Sequence, residues 1–152
     1  METLAFEGTD GELTYHPTLE IVRELLDLDQ DYWLGGSGSA MIGWVIERNP
    51  GFSINFNRPT LHIAVHEPYG VWILYREGNV ERYVFDETAP EDLLVVRYMG
   101  GEPAVFPRAF FVSRPIAEQV IEEFLRSEGM SPAIAWRAPI SRQYDGYACP
   151  KA

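Results

Sequence analysis

The chain has 152 residues, 46% hydrophobic and 13% aromatic, enough to bury roughly 70% of its unfolded surface in one domain. A formal net charge of −11 argues against direct nucleic-acid binding through phosphate contacts, and no apolar run is long enough to span a bilayer. With no basic region ahead of an apolar one and a single cysteine, Cys149, neither a signal peptide nor a disulfide framework nor a CxxC metal knuckle is expected, and the expected compartment is cytoplasmic.

In chain order, Leu4 to Phe6 and Glu12 to Tyr15 read as a short hairpin around Thr9-Asp10-Gly11. Pro17-Thr18 starts a helix whose buried stripe is Leu19, Val22, Leu25 and Leu26 and which ends near Leu28. The run Gly35-Gly36-Ser37-Gly38-Ser39 has no following lysine and no clear preceding strand, so it reads as a plain loop rather than a phosphate cradle. Ala40 to Glu47, Ser53 to Phe56, Leu61 to Val65, Val71 to Tyr75 and Val80 to Phe85 are apolar or alternating at strand length. The turns between the later ones are Glu67-Pro68-Tyr69-Gly70 and Glu77-Gly78-Asn79. Residues 86–92 (DETAPED) form an acidic loop, and Leu93 to Tyr98 is a further strand.

The segment from Gly100 to Trp136 is the most informative. Phe110 to Val112 suits a strand, Ser113 can cap a helix with Pro115 in its first turn, Gly129 sits where that helix stops, and Trp136 closes on a strand. Ile116, Val120 and Phe124 fall on one helix face beside Ala117, Ile121 and Leu125, while Glu118, Glu122, Glu123 and Arg126 face the other way. With no internal repeat and no dividing linker, residues 1–152 read as one α+β domain. The expected architecture is a twisted antiparallel β-sheet meander with two main α-helices packed on one face, and 138–152 is read as a flexible tail.

Gly100-Gly101-Glu102-Pro103, Phe111-Val112-Ser113 before the helix, Glu123-Phe124-Leu125 near its end, Glu128-Gly129, Pro132 and Trp136 together resemble the carboxy-terminal half of an immunity family, Imm family one, of bacterial polymorphic toxin systems. Met130-Ser131 departs from the family pattern, which carries a charged residue before the proline, and the amino-terminal half does not align. The resemblance implies an immunity protein that binds and neutralises a cognate toxin. Such toxins are often DNA or RNA deaminases.

Charge supplies a second clue. Residues 1–33 hold nine carboxylates against one arginine, while the remaining 119 carry fourteen acids and eleven bases. Solubility alone would explain such a surface, but it would also attract a basic partner, and a toxin acting on nucleic acid needs a cationic groove. The expected partner-binding residues are therefore Asp27, Asp29, Asp31, Tyr32 and Trp33, joined by Asp86, Glu87, Glu91 and Asp92. Trp44, Trp72 and Trp136 lie in strand patterns and read as core, whereas Trp33, beside acids and ahead of a glycine loop, reads as a hot spot or else folds back onto the sheet.

A catalytic reading has less to stand on. His62 and His66 lie about 13 Å apart along a strand, too far to share a metal without a third element. Cys149 with a histidine could serve a small hydrolase, but it lies in the tail, where a nucleophile lacks a rigid setting. An acidic adaptor or secretion chaperone is the other alternative. No enzyme activity, metal or cofactor is expected.

Overall fold

The computed structural model describes residues 2–47, 52–90, 92–99 and 102–139. Residues 140–152 of the expected tail, with Cys149, and the acid Glu91 lie outside the described residues. In chain order the elements are β1 (Glu2–Glu7), β2 (Leu13–Tyr15), α1 (Leu19–Leu26), α2 (Gln30–Leu34), β3 (Ala40–Glu47), β4 (Phe52–Ile54), β5 (Thr60–His66), β6 (Gly70–Glu77) and β7 (Val80–Val84). They continue with β8 (Leu94–Met99), β9 (Glu102–Pro107), a single 3-10 turn at Arg108–Phe110, β10 (Phe111–Val112), α3 (Arg114–Ser127) and β11 (Trp136–Arg137).

The main sheet is antiparallel in the order β11-β7-β6-β5-β3-β1-β2, with β4 added to β3 and β10 to β6. β5, β6 and β7 form the expected meander. Glu77 pairs with Val80 across a two-residue turn in which Gly78 takes φ 57°, the left-handed conformation that such hairpins demand. Gly70 is constrained differently: with φ 114°, it packs so close to β10 that a Cβ there would sit 2.3 Å from the Val112 carbonyl oxygen.

Register assigns the two faces, because directly paired residues point the same way. Ile73 pairs with Ile63 and Ile63 with Ala40, so Val71, Ile73, Tyr75, Leu61, Ile63, Val65 and Ile42 share the first face. α3 covers it with Ala117, Val120, Ile121 and Phe124, and Tyr75 meets both Phe124 and Trp136 edge-on. α1 packs beside α3, burying Val22 and Leu26. Each such side chain taken out of water contributes ~1.5–3 kcal/mol, which is why the apolar stripes rather than helix propensity place the helices.

Trp72, Leu74, Ala64, His62 and His66 belong to the second face. Its cover is a separate two-stranded ribbon, β8–β9, whose backbone bonds are internal and whose Phe106 packs on Trp72 and Tyr83.

The architecture is the expected α+β domain with α1 and α3 on one face, and four details differ. α2 is an additional helix, five residues long and capped by Asp29. β9 is an additional strand that contains Pro103 and Pro107; a two-stranded ribbon consists of edges, where proline is tolerated. Ser113 precedes α3 in extended conformation, but its side chain makes no capping bond. The helix stops at Glu128 rather than Gly129: Glu128 takes the left-handed conformation at φ 59°, and its carboxylate accepts from Trp44 Nε1 and from Arg58 Nη2. No helix among the described residues is long and apolar enough to cross a membrane.

Candidate partner-binding face

The acidic amino-terminal segment is built on three short elements. Thr18 caps α1 by accepting from Ile21 N at 3.2 Å, and Asp29 caps α2 by accepting from Tyr32 N at 3.1 Å. A carboxylate at a helix start satisfies an otherwise bare N–H, so Asp29 has a structural duty beside any charge it shows a partner. Asp31 is exposed in the first turn of α2 and makes no ion pair among the described residues; Glu20 and Glu24 on α1 are likewise exposed and unpaired. Asp27, at the end of α1, is exposed but engaged, with Arg114 Nη1 2.9 Å from its Oδ1.

Tyr32 and Trp33 differ from their neighbours. The Tyr32 hydroxyl accepts from Thr9 N at 3.3 Å, and its carbonyl accepts from the Thr9 hydroxyl at 2.8 Å, which ties α2 to the β1–β2 turn. Burial first, then the nearby Asp10 and Glu12 charges, raise the phenol above its ordinary pKa. Trp33 is 0% exposed, packed edge-on against Tyr32 at 5.1 Å, and belongs to the core. The hot-spot expectation for Trp33 is corrected: the capped turn of α2 swings its ring inward, and a side chain with no accessible area offers none to a partner.

Two acids of the amino-terminal third that were not among the expected partner-binding residues, Asp10 and Glu12, join the site. Asp10 and Glu12 on the β1–β2 turn, Leu25 of α1, Leu28 just beyond that helix and the Tyr32 ring line a cleft of about 280 Å³. Leu28 and Leu34 are 41% and 45% exposed. Acidic groups thus rim apolar surface, the chemistry that a basic partner with an apolar anchor would meet. The signal was present in the sequence as Asp-Gly-Glu within the acidic third, but which turn acids reach the α1–α2 corner depends on how β1 and β2 pair.

The second acidic segment is more rigid than a loop reading suggests. Asp86 Oδ1 accepts from Thr88 N at 2.9 Å and from the Thr88 hydroxyl at 2.7 Å, and these bonds, the hydroxyl first, hold its carboxyl below the usual carboxylate range. Glu87 and Asp92 are exposed. Asp86, Glu87 and Thr88 share a cleft of about 410 Å³ with Ser113 and Ile116, while Arg114 holds Asp27. The first turn of α3 thus contacts one acidic segment and shares a cleft with the other.

His62 and His66 lie on the other face. His62 stacks on Phe56 at 6.4 Å and His66 on Tyr69 at 5.7 Å. Among the described residues no three His, Cys, Asp or Glu side chains converge on a point that could hold a metal ion. Of the tryptophans read as core, Trp72 is 2% exposed, while Trp44 and Trp136 are half-buried. Trp44 lies under the Arg58 guanidinium at 3.8 Å, and Arg58 also reaches Glu2 at 2.7 Å and Glu128 at 3.0 Å. No family model, no curated protein and no solved structure matches the chain.

Proposed function

We propose that this chain is an immunity protein that binds and neutralises a cognate bacterial toxin, with an acidic face built from α1, α2 and the β1–β2 turn laid over the toxin's cationic mouth. The observation that carries this reading is the cleft in which Asp10 and Glu12 stand beside the apolar Leu25 and Leu28, supported by the exposed acids Glu20 and Glu24 on α1 and Asp31 on α2, which make no ion pair among the described residues. Such a face attracts a basic groove at long range, gives it an apolar anchor on contact, and by occupying the groove keeps a polyanionic substrate out.

The toxin class rests on the resemblance of residues 100–136, which points to a nucleic-acid deaminase. A zinc deaminase carries a His-x-Glu and a Pro-Cys-x-x-Cys signature, and the reading frame next to this one is expected to encode a domain that ends in it. In this reading the protein contributes no catalytic group and needs no cofactor; Cys149 has no role in protection.

Co-expression tests the proposal. The adjacent toxin domain should kill a sensitive host alone and spare it when this chain is present, and the Cys149→Ser form should protect equally. Failure of the wild-type chain to protect would overturn the immunity reading, and loss of protection in Cys149→Ser alone would point to the thiol-dependent hydrolase instead.

A further inference from the structure

Buried polar atoms without a hydrogen-bond partner gather on the second face of the sheet. Seven are found among the described residues, and five of them belong to His62, His66, Trp72, Arg76 and Arg97. Arg76 is compensated, since its Nε lies 3.7 Å from Glu81. Arg97 is not: it projects from β8 beneath the ribbon, is 1% exposed, and has no carboxylate partner among the described residues. Its Nη2 donates to the Gly38 carbonyl, its Cζ stands 5.2 Å from the Trp72 ring, and its Nη1 has no partner.

A guanidinium cannot discharge itself by losing a proton at physiological pH, so burying one with half its fork idle is unfavourable unless something else engages it. Burial pulls Arg97 down to about 10, with no acid among the described residues acting on it. Two further idle groups lie on the same face of the sheet, Trp72 Nε1, on the ring 5.2 Å from the Arg97 Cζ, and His66 Nδ1, on an imidazole that feels the Arg97 charge. Trp72 pairs with Phe111, whose ring is 5.7 Å from that of His66. Burial first and the Arg97 charge second lower the His66 pKa, against the exposed Glu67 carboxylate, so the imidazole is neutral and can present an Nδ1–H. The surrounding rings are Tyr69, Phe106 and Phe111.

We infer that Arg97, Trp72 and His66 form a receptor for a small organic monocarboxylate, covered by the β8–β9 ribbon. One fixed positive charge balances a monoanion but leaves a phosphate dianion under-compensated. The guanidinium Nη1, the indole N–H and the imidazole N–H supply donors and no fixed acceptor, which matches the two acceptor oxygens of a carboxylate. Aromatic walls favour an apolar or aryl body over a sugar or polyol. Entry requires the ribbon to lift from β6, and its separate ladder allows that without breaking a backbone bond of the main sheet. The site is on the face opposite the helices and does not depend on the toxin-binding reading.

The test is a titration of the full ¹⁵N-labelled chain with sodium benzoate and sodium acetate, read at the Trp72 indole N–H, which the Trp72→Phe variant assigns. Sodium chloride and sodium phosphate are the ionic-strength controls. The expected result is a saturable shift with the carboxylates, tighter for benzoate, a matching rise in Tm, and no saturable shift with chloride or phosphate. Arg97→Gln should abolish the response. If that variant does not fold, Arg97→Lys, which keeps the charge and loses the fork, should weaken benzoate by roughly tenfold or more. An indole signal that no carboxylate moves, an equal shift with phosphate or chloride, or a response that survives both Arg97 substitutions would overturn the assignment. So would a long-lived water at the indole N–H that carboxylates fail to displace.

Discussion

Arg114, in the first turn of α3, holds Asp27 at the end of α1: Nη1 lies 2.9 Å from Oδ1, and Nη2 donates to the Arg23 carbonyl at 2.9 Å. Arg23 and Arg114 also share Glu118. The two helices are thus stitched along their exposed seam, and the acids of the amino-terminal third divide into those with a structural duty and those without.

That division predicts unequal stability effects. Asp29→Ala removes the α2 cap and should cost about 1 kcal/mol. Asp27→Ala, at a carboxylate 70% exposed, should cost no more than about 1 kcal/mol, because solvent screens the pair. Asp31→Ala should change stability by less than about 0.5 kcal/mol, as a surface substitution that breaks no bond. Urea midpoints for the three variants check the order.

Trp33→Ala should destabilise the fold by about 3–5 kcal/mol, the range for emptying a buried aromatic site. Any loss of protection in that variant should then track the unfolded fraction. A well-folded Trp33→Ala chain with weakened partner binding would mean that the ring reaches the surface in solution.

Gly36 takes φ 54°, and a Cβ on it would lie 1.7 Å from the Thr9 carbonyl oxygen. Gly36→Ala should therefore be destabilising by at least about 1–3 kcal/mol, since backbone rather than a flexible side chain must give way. Gly11→Ala is the comparison: its φ of 83° is strained, but nothing lies within 4 Å. It should cost less, and thermal melts of the pair read the difference.

Stability should fall as pH drops below about 6.5. Burial first, and the Arg76 charge second, push the His62 imidazole from 6.5 down to about 4. Between those values the unfolded chain holds a proton that the folded chain lacks, so unfolding free energy rises with pH across the window and is lost on acidification. The gap corresponds to about 3 kcal/mol. Glu2, held below its ordinary value chiefly by its bond to Arg58, adds a loss of the same sign at lower pH. Urea midpoints should decline from about pH 7 to pH 4.5, and His62→Gln should flatten most of that decline.

The sheet and the two long helices were legible because they obey simple periods. The stripe of α3, Val120 and Phe124 with Ala117 and Ile121, is buried as its spacing demands. What was illegible depended on register or on elements too short for a period. α2 is little more than one turn, so Trp33 lacked the pattern that would have sent it inward. Arg97 shares parity with the buried Val95 on β8, and once that strand lies on the sheet the alternation carries the guanidinium inside. Asp10 and Glu12 could be counted in the acidic third, but their meeting with Leu28 and Tyr32 arises only when β1, β2 and the helices assemble.

The most direct test of the proposed toxin-capping face is stopped-flow association with the toxin domain encoded next to this chain, at several salt concentrations. Glu20, Glu24 and Asp31 are exposed and unpaired among the described residues, so the triple reversal to lysine changes charge without removing a cap or an ion pair. Glu122→Lys, on the exposed side of α3, is the control. Screening shortens to about 8 Å at physiological salt, so steering should fade with added salt before contacts do. The expected result is a wild-type association rate that falls with salt, a triple variant slowed by tenfold or so at low salt, and a Glu122→Lys rate near wild type. Equal slowing per charge in the triple variant and in Glu122→Lys, or no slowing in either, would contradict an interface on α1, α2 and the β1–β2 turn.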